Sequence, residues 1–356
     1  MNLRKTRLSA DELTGRKGEF YGYNVQIIKE KVVESSFPYL YDIAAGNVSG
    51  KASKHISGYN GDIDAALELV WNVGGAYPYL AAAEKLQIYS GSGNDDGSVL
   101  SSGTATAGST TAGSTTTLED DTADFNVDGV AAGDAVLDDT NVAMGIVLSV
   151  DVGGTIITLV SAMDTAFAAG TVYRVVNANS TGAAVVRLDG MDDDYALLSE
   201  YIVMNGVADV ETLGDFYRIF KTTVVHAASG GVNIGQIDVE NNASAIVMCR
   251  IAAGANESQS CMWTVPASKV FYVCKYNLNE IANIRVSGAV YKRQPGGTVF
   301  EAMGETIAAK ANSSQEKHLL PEPVSAGYDI EFRAITSAAA PNAEVFADFE
   351  GWYENE

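Results

Sequence analysis

The end of the chain alternates apolar and polar residues with a period of two, which is the period of a strand and not of a helix. In "AEVFADFEGWYE" (343–354), Val345, Ala347, Phe349, Gly351 and Tyr353 point one way, while Glu344, Phe346, Asp348, Glu350 and Trp352 point the other. One face reads as core, and the other carries acids and two large aromatics. The same grammar recurs in "KLQIYS" (85–90), "AAVVRLDG" (183–190), "LSEYIVMNG" (198–206), "DFYRIFKTTVVHA" (215–227), "ASAIVMCRIAA" (243–253), "KVFYVCKYNL" (269–278), "NIRVSGAVYKR" (283–293) and "YDIEFRAIT" (328–336). Gly, Asn and Asp separate these runs, and the chain holds 35 glycines. Many short strands with polar turns predict an all-β fold, a two-sheet sandwich. The final two runs flank "SAAAPN", a loop of hairpin type. Only "NGDIDAALELVW" (60–71) reads as helix: Ile63, Ala66, Leu67, Val70 and Trp71 recur at helical spacing behind Asp62 as an N-cap.

Residues 102–180 stand apart. They carry ten acids, Glu119 to Asp164, and one cation, Arg174. The stretch begins in Ser, Thr, Gly and Ala, and continues as apolar runs of four to six residues between Asp-Gly, Gly-Asp and Gly-Gly turns. Such a pattern predicts a small acidic β-barrel of five or six strands, too small to be robust alone and expected to lean on its host. Composition allows a string of domains as well as an insertion. Strand bookkeeping favours insertion, because "KLQIYS" and "AAVVRLDG" are each isolated unless they are neighbours in one sheet. Gly97 and Thr181 are then expected to lie together in space.

A formal charge of −22 is the wrong sign for coating nucleic acid. The acidity is uneven: residues 1–54 hold nine Lys/Arg against six Asp/Glu, about +3, and the other 302 hold 14 against 39, about −25. An N-terminal arm, residues 1–45, is therefore expected to differ electrostatically from the body. It lacks the apolar stretch of a secretory signal. No run of 18 apolar residues predicts a membrane span. Cys249, Cys261 and Cys274 sit among apolar residues at spacings that fit no metal template and are expected as buried free thiols.

His55, His226 and His318 are scattered, and neither a nucleophile elbow nor a phosphate loop is present. No catalytic residue and no cofactor is assigned. Calcium is the one ion the acidic clusters "NDDG" (94–97), "LEDDTAD" (118–124), "LDDTN" (137–141) and "GMDDDY" (190–195) could take. Their Asp and Asn residues are also ordinary turn formers, and "GMDDDY" reads as a solvated hairpin turn. Tyr21, Tyr23, Phe37, Tyr39 and Tyr41 in the basic arm, with Trp352 and Tyr353 at the far end, are the candidate interaction residues. Tyr and Trp bury much area while keeping a polar tip, as docking arms need.

Five segments follow one another in the order "SGYNGDIDAALELVWNVGGAYPYL" (57–80), "LQIYSGSGNDDG" (86–97), "TGAAVVRLDGMDDDYALLSEYIVMNGVADVETLGDFYRI" (181–219), "WTVPASKVFYV" (263–273) and "AGYDIEFRAITSAAAPNAEVFADFEGWYEN" (326–355). In that order they resemble a family of structural proteins of tailed-bacteriophage virions. The resemblance spans about 200 of 356 residues. Gly97 and Thr181-Gly182-Ala183 look like two sides of one family pattern pulled apart. The resemblance implies a non-enzymatic virion component: a decoration, vertex or tail-associated protein. The expected architecture is a jelly-roll-like sandwich host (46–101 and 181–356) with the barrel (102–180) inserted. Expected partners are sister subunits, in a trimer or pentamer, and the major capsid protein or other virion proteins, with neither nucleic acid nor membrane. The competing readings are a receptor- or glycan-binding tail protein with the insert as its tip, and a virion-associated glycan hydrolase.

Overall fold

A computed structural model describes residues 24–28, 31–35, 39–106, 116–163, 166–178, 181–243, 245–281, 283–336 and 343–356. Near the start lie strands β1 (Asn24–Ile28) and β2 (Lys31–Ser35), paired antiparallel, and helix α1 (Tyr39–Ala44). Then come β3 (Lys51–Ile63), β4 (Glu68–Leu69), β5 (Leu86–Ser90), β6 (Gly97–Thr104), β7 (Thr117–Glu119), β8 (Ala135–Asp138), β9 (Met144–Val150), β10 (Ile156–Leu159) and β11 (Val172–Ala178). The middle of the chain supplies β12 (Ala183–Met191), β13 (Leu197–Val203), β14 (Val210–Glu211), β15 (Arg218–Ala227), β16 (Ile237–Asn241) and β17 (Val247–Ile251). The remainder is β18 (Met262–Thr264), β19 (Lys269–Glu280), β20 (Val286–Arg293), β21 (Glu301–Ala309), β22 (Asn312–Val324), β23 (Asp329–Thr336) and β24 (Ala343–Asn355). Every pairing is antiparallel, and the described residues are all-β apart from α1. Among the described residues, no helix is long and apolar enough to cross a membrane.

Two pairs of facing sheets, rather than one, make up the sandwich part. The sheet β22-β19-β24-β3 faces β18-β23-β20-β21 across a core built on Trp263, Phe271, Tyr276, Phe332 and Phe349. A second core, with Leu86, Ile88, Val186, Leu188, Ile237 and Val239, lies between β14-β5-β16-β17 and β13-β12-β15. The expected alternation in β24 is present: Val345, Ala347, Phe349 and Gly351 are buried, while Phe346 is exposed and the acids between are half-buried.

The chain threads these bodies in a nested order. β4 and β18 lie on the same edge of β23, Leu69 opposite Arg333 and Met262 opposite Glu331. An antiparallel bridge between Trp71 and Ser260, with Cys261 N donating to Val70 O (3.0 Å), closes the neck. Everything from 72 to 259 is thus an excursion from one strand position of the C-terminal sheet pair. Within it lies a second excursion, the sheet β6-β11-β8-β9-β10-β7, with its own core around Leu118, Phe125, Val147, Ile157 and Tyr173. Its outermost strands approach each other, Thr106 N donating to Glu119 O (2.8 Å). At its base Gly97 is opposite Ala178, and Gly182 N donates to Asn94 O (2.9 Å). A side chain at Gly97 would fall 2.7 Å from Ala184 O and 2.8 Å from a Val203 methyl, so only glycine lets the two strands approach this closely.

Three sequence-based expectations fail. Residues 60–71 form no helix; β3 runs through Ile63, and Asp64 Oδ1 takes the Ala66 N–H (2.6 Å) in a turn. Leu67, expected on the buried helical face, is 40% exposed, and Asp62 caps nothing; instead the Glu68 carboxylate takes the N–H groups of Asp64 (3.0 Å) and Gly75 (2.5 Å). The apolar spacing that mimics a helix is the residue of a strand, a turn and a two-residue strand laid end to end. Second, β5 and β12 are not neighbours in one sheet but face each other across the second core. Third, β23 and β24 are not a hairpin, for they belong to opposite sheets; the loop itself, 337–342, lies outside the described residues.

Candidate functional site

Where the two sheet pairs meet, charged side chains are buried in alternation with aromatic rings. Asp329 opens β23 and is 1% exposed. Its carboxylate accepts from Arg218 Nε (3.1 Å), Arg293 Nε (3.1 Å) and Nη2, and Thr264 Oγ1 (2.6 Å). Two residues on, with the same strand period, Glu331 accepts from Tyr79 OH and Arg333 Nε (2.5 Å). The guanidinium groups stack on rings. Arg333 lies 3.4 Å from the Phe300 centroid, Arg293 3.4 Å from Tyr79, and Arg218 4.6 Å from Tyr79 and 3.8 Å from Tyr217.

Electrostatics follow from this enclosure. Burial pushes the Glu331 carboxyl up from the ordinary range, opposed by Arg333. Burial and then the Glu331 charge hold the Tyr79 hydroxyl well above its usual value. Asp329 and Glu331 are closely spaced carboxylates, the chemical minimum for glycoside hydrolysis. Both are spent on arginines and sealed from solvent, so the arrangement acts as a clamp between β15 of one sheet pair and β20 and β23 of the other. An open groove of about 430 Å³, lined by Tyr79, Leu80, Glu84, Asn241, Ile246 and Met248, runs beside it.

The candidate interaction residues are dispersed. Tyr21, Tyr23 and Phe37 lie outside the described residues, and Tyr39 and Tyr41 are on α1, which packs beside β3 and β24. Trp352 stacks on Tyr272 on the outer face of β24 (5.1 Å, 18°). Tyr353 instead turns inward and packs on Trp263 (5.8 Å), closing one end of the core. The outer face continues with Phe346 against Tyr59 (4.6 Å) and with acids matched by His55, Lys275 and Asn277.

The acidic clusters act as turn and neck fasteners. In "NDDG", Asp95 is fully buried and accepts from Ser90 Oγ (2.5 Å) and from the N–H groups of Ala183, Ile234 and Gly235 (2.8 Å each). Asp120 accepts from Thr122 and from Tyr173 OH (2.8 Å), and Asp138 from the N–H groups of Val142 (3.0 Å) and Ala143 (3.1 Å). Asp192 caps the β12–β13 turn through Asp194 N (3.0 Å) and Ala196 N (2.9 Å). Among the described residues, no group of three or more His, Cys, Asp or Glu is placed to hold a metal. All three cysteines are buried and free. Comparisons with protein-family models, curated proteins and solved structures return no match.

Proposed function

We propose that this chain is a non-enzymatic structural protein of a tailed-bacteriophage virion, built on a jelly roll that carries two nested outgrowths. What supports the jelly roll is the pairing order of the C-terminal sheets. With β4 and β18 counted as one interrupted strand, the first strand pairs with the last, the last with the third and the third with the sixth. Opposite them, the second pairs with the seventh, the seventh with the fourth and the fourth with the fifth. That order recurs in capsid and lectin domains. A jelly roll whose first and last strands pair brings α1 and the end of the chain to one edge. The helix α1 that carries Tyr39 and Tyr41 then lies beside β3 and β24, and this edge is the surface assigned to sister subunits and the major capsid protein, in a trimer or pentamer. The acidic barrel, residues 97–178, projects from the far end of the nested excursion.

A second reading has one observation in its favour. Val127 (80% exposed) and Val152 (fully exposed) lie in turns of the insert whose N–H groups are held by the Asp124 and Asp151 carboxylates. Exposed apolar side chains in acidic turns suit a receptor-binding surface. The test is to purify particles and determine their density map. Multiple symmetric copies with the insert outward support the structural reading, and absence from particles defeats it. Loss of host-cell binding on deleting 110–176, with particles intact, selects the tip.

A further inference from the structure

A cleft of about 90 Å³ lies between β3 and β15, at the second contact of the two sheet pairs, away from the arginine clamp. Lys54, Lys221, Ser260 and Trp263 line it. Three of these carry donors without partners among the described residues. Lys54 Nζ has no carboxylate at ion-pair distance among the described residues, and it lies over the Trp263 ring, 5.7 Å from the centroid. Trp263 is 1% exposed and its indole Nε1 is unpaired; Ser260 is 8% exposed and its Oγ is unpaired.

Each neighbouring charge is already engaged. Lys221 pairs with Glu257 (2.6 Å), and Arg187 with Asp189 (2.7 Å), which also takes Ser199 Oγ (2.7 Å). His55 at the rim faces Asp348 (3.6 Å). In a chain of charge −22, an unpaired half-buried lysine beside an orphan indole N–H is a costly arrangement unless something fills it. An ammonium and an indole N–H can only donate, so the missing partner is an acceptor, and the lysine makes it an anion. At this volume, well under the roughly 300 Å³ at which small-molecule pockets begin, the occupant is small or is the tip of a larger group.

We propose that this cleft is a binding site for a single oxyanion, carboxylate or phosphate, held by Lys54 Nζ, Trp263 Nε1–H and Ser260 Oγ. Burial, with Lys221 and Arg187 nearby, lowers the lysine's affinity for its proton, with Asp189 opposing, and a bound anion would reverse that. Because the lining comes from both sheet pairs, occupancy also fastens them.

The test uses the full-length protein at constant ionic strength, titrated separately with inorganic phosphate and with acetate and followed by calorimetry and tryptophan fluorescence. Saturable binding is expected for at least one probe. Tighter phosphate assigns a phosphoryl ligand, and tighter acetate a carboxylate such as a partner's Asp or Glu. Lys54→Met, which keeps the apolar stem, should weaken it about tenfold or more, as loss of a charge-assisted bond does. Ser260→Ala should weaken it less, and Lys85→Met, on another surface, should leave it unchanged. Unchanged affinity in a folded Lys54→Met protein, or no saturation with either probe, overturns the proposal.

Discussion

The two junctions that hold this molecule together are built on opposite principles. Between the sheet pairs, Asp329 and Glu331 are locked by Arg218, Arg293 and Arg333 in a layer of rings. Between the insert and its host, small aliphatic side chains meet: Ala135, Leu137 and Val176 against Ala184 and Val185. The polar contacts there are mostly backbone ones, Tyr201 N donating to Asn141 O (2.7 Å) and Gly97 N to Met204 O (3.0 Å), with Arg174 holding the Asn141 side chain. Opening the first junction would strand charges out of water, whereas opening the second merely wets a small apolar patch. The contrast predicts unequal costs for breaking the two junctions.

Breaking the first junction should have the largest effect. Asp329→Ala leaves two buried guanidinium groups uncompensated and should cost about 3–5 kcal/mol; urea unfolding measures it. A cost under about 1 kcal/mol would mean the clamp is hydrated and dispensable. Next comes Asp95→Ala at the base of the insert, which unpairs three N–H groups, that of Ala183 buried, and should cost about 2–3 kcal/mol in the same assay. Tyr173→Phe removes the hydroxyl's bonds to Asp120 and Ser101 inside the insert and should cost about 1 kcal/mol, confined to protection of insert amides in hydrogen exchange.

The smallest effect is a pH dependence of the second junction. Burial lowers the His226 value from its ordinary 6.5, with Asp134 of the insert opposing. The opened form then binds more protons than the packed one, so the junction is complete above pH about 6.5 and weakens as pH falls through that value. Proteolytic clipping of the insert should rise modestly from pH 7.5 to 5.5, and His226→Gln should flatten the profile.

Much of the strand inventory was legible, because period-two alternation in β19, β20 and β24 is imposed by one buried face. The helix at 60–71 misled because Glu68, Leu69 and Val70 serve two short strand pairings whose partners are over 180 residues away. The clamp was invisible for a related reason. In "YDIEFRAIT" the Asp329, Glu331, Arg333 face alternates with Ile330, Phe332 and Ala334 and reads as solvated. Burial of the second face of β23 is completed by Tyr79 and Arg218, supplied by the nested excursion. Lys54 and Trp263 are likewise 209 positions apart, and no local pattern joins them. By contrast, the lone cation of the insert, Arg174, was conspicuous in composition, and it lies at the host junction near Asp138 and Glu200.

The nested organisation is tested most directly by excising the insert. Gly97 and Ala178 are cross-strand partners, so a two-residue turn can replace 98–177. Trp71, Trp263 and Trp352 all lie outside that segment, and their fluorescence reports on what is left. A single cooperative melt within a few degrees of the full-length protein is the predicted result. Loss of the cooperative transition would contradict it, and would mean that the acidic sheet is part of the body and not an outgrowth upon it.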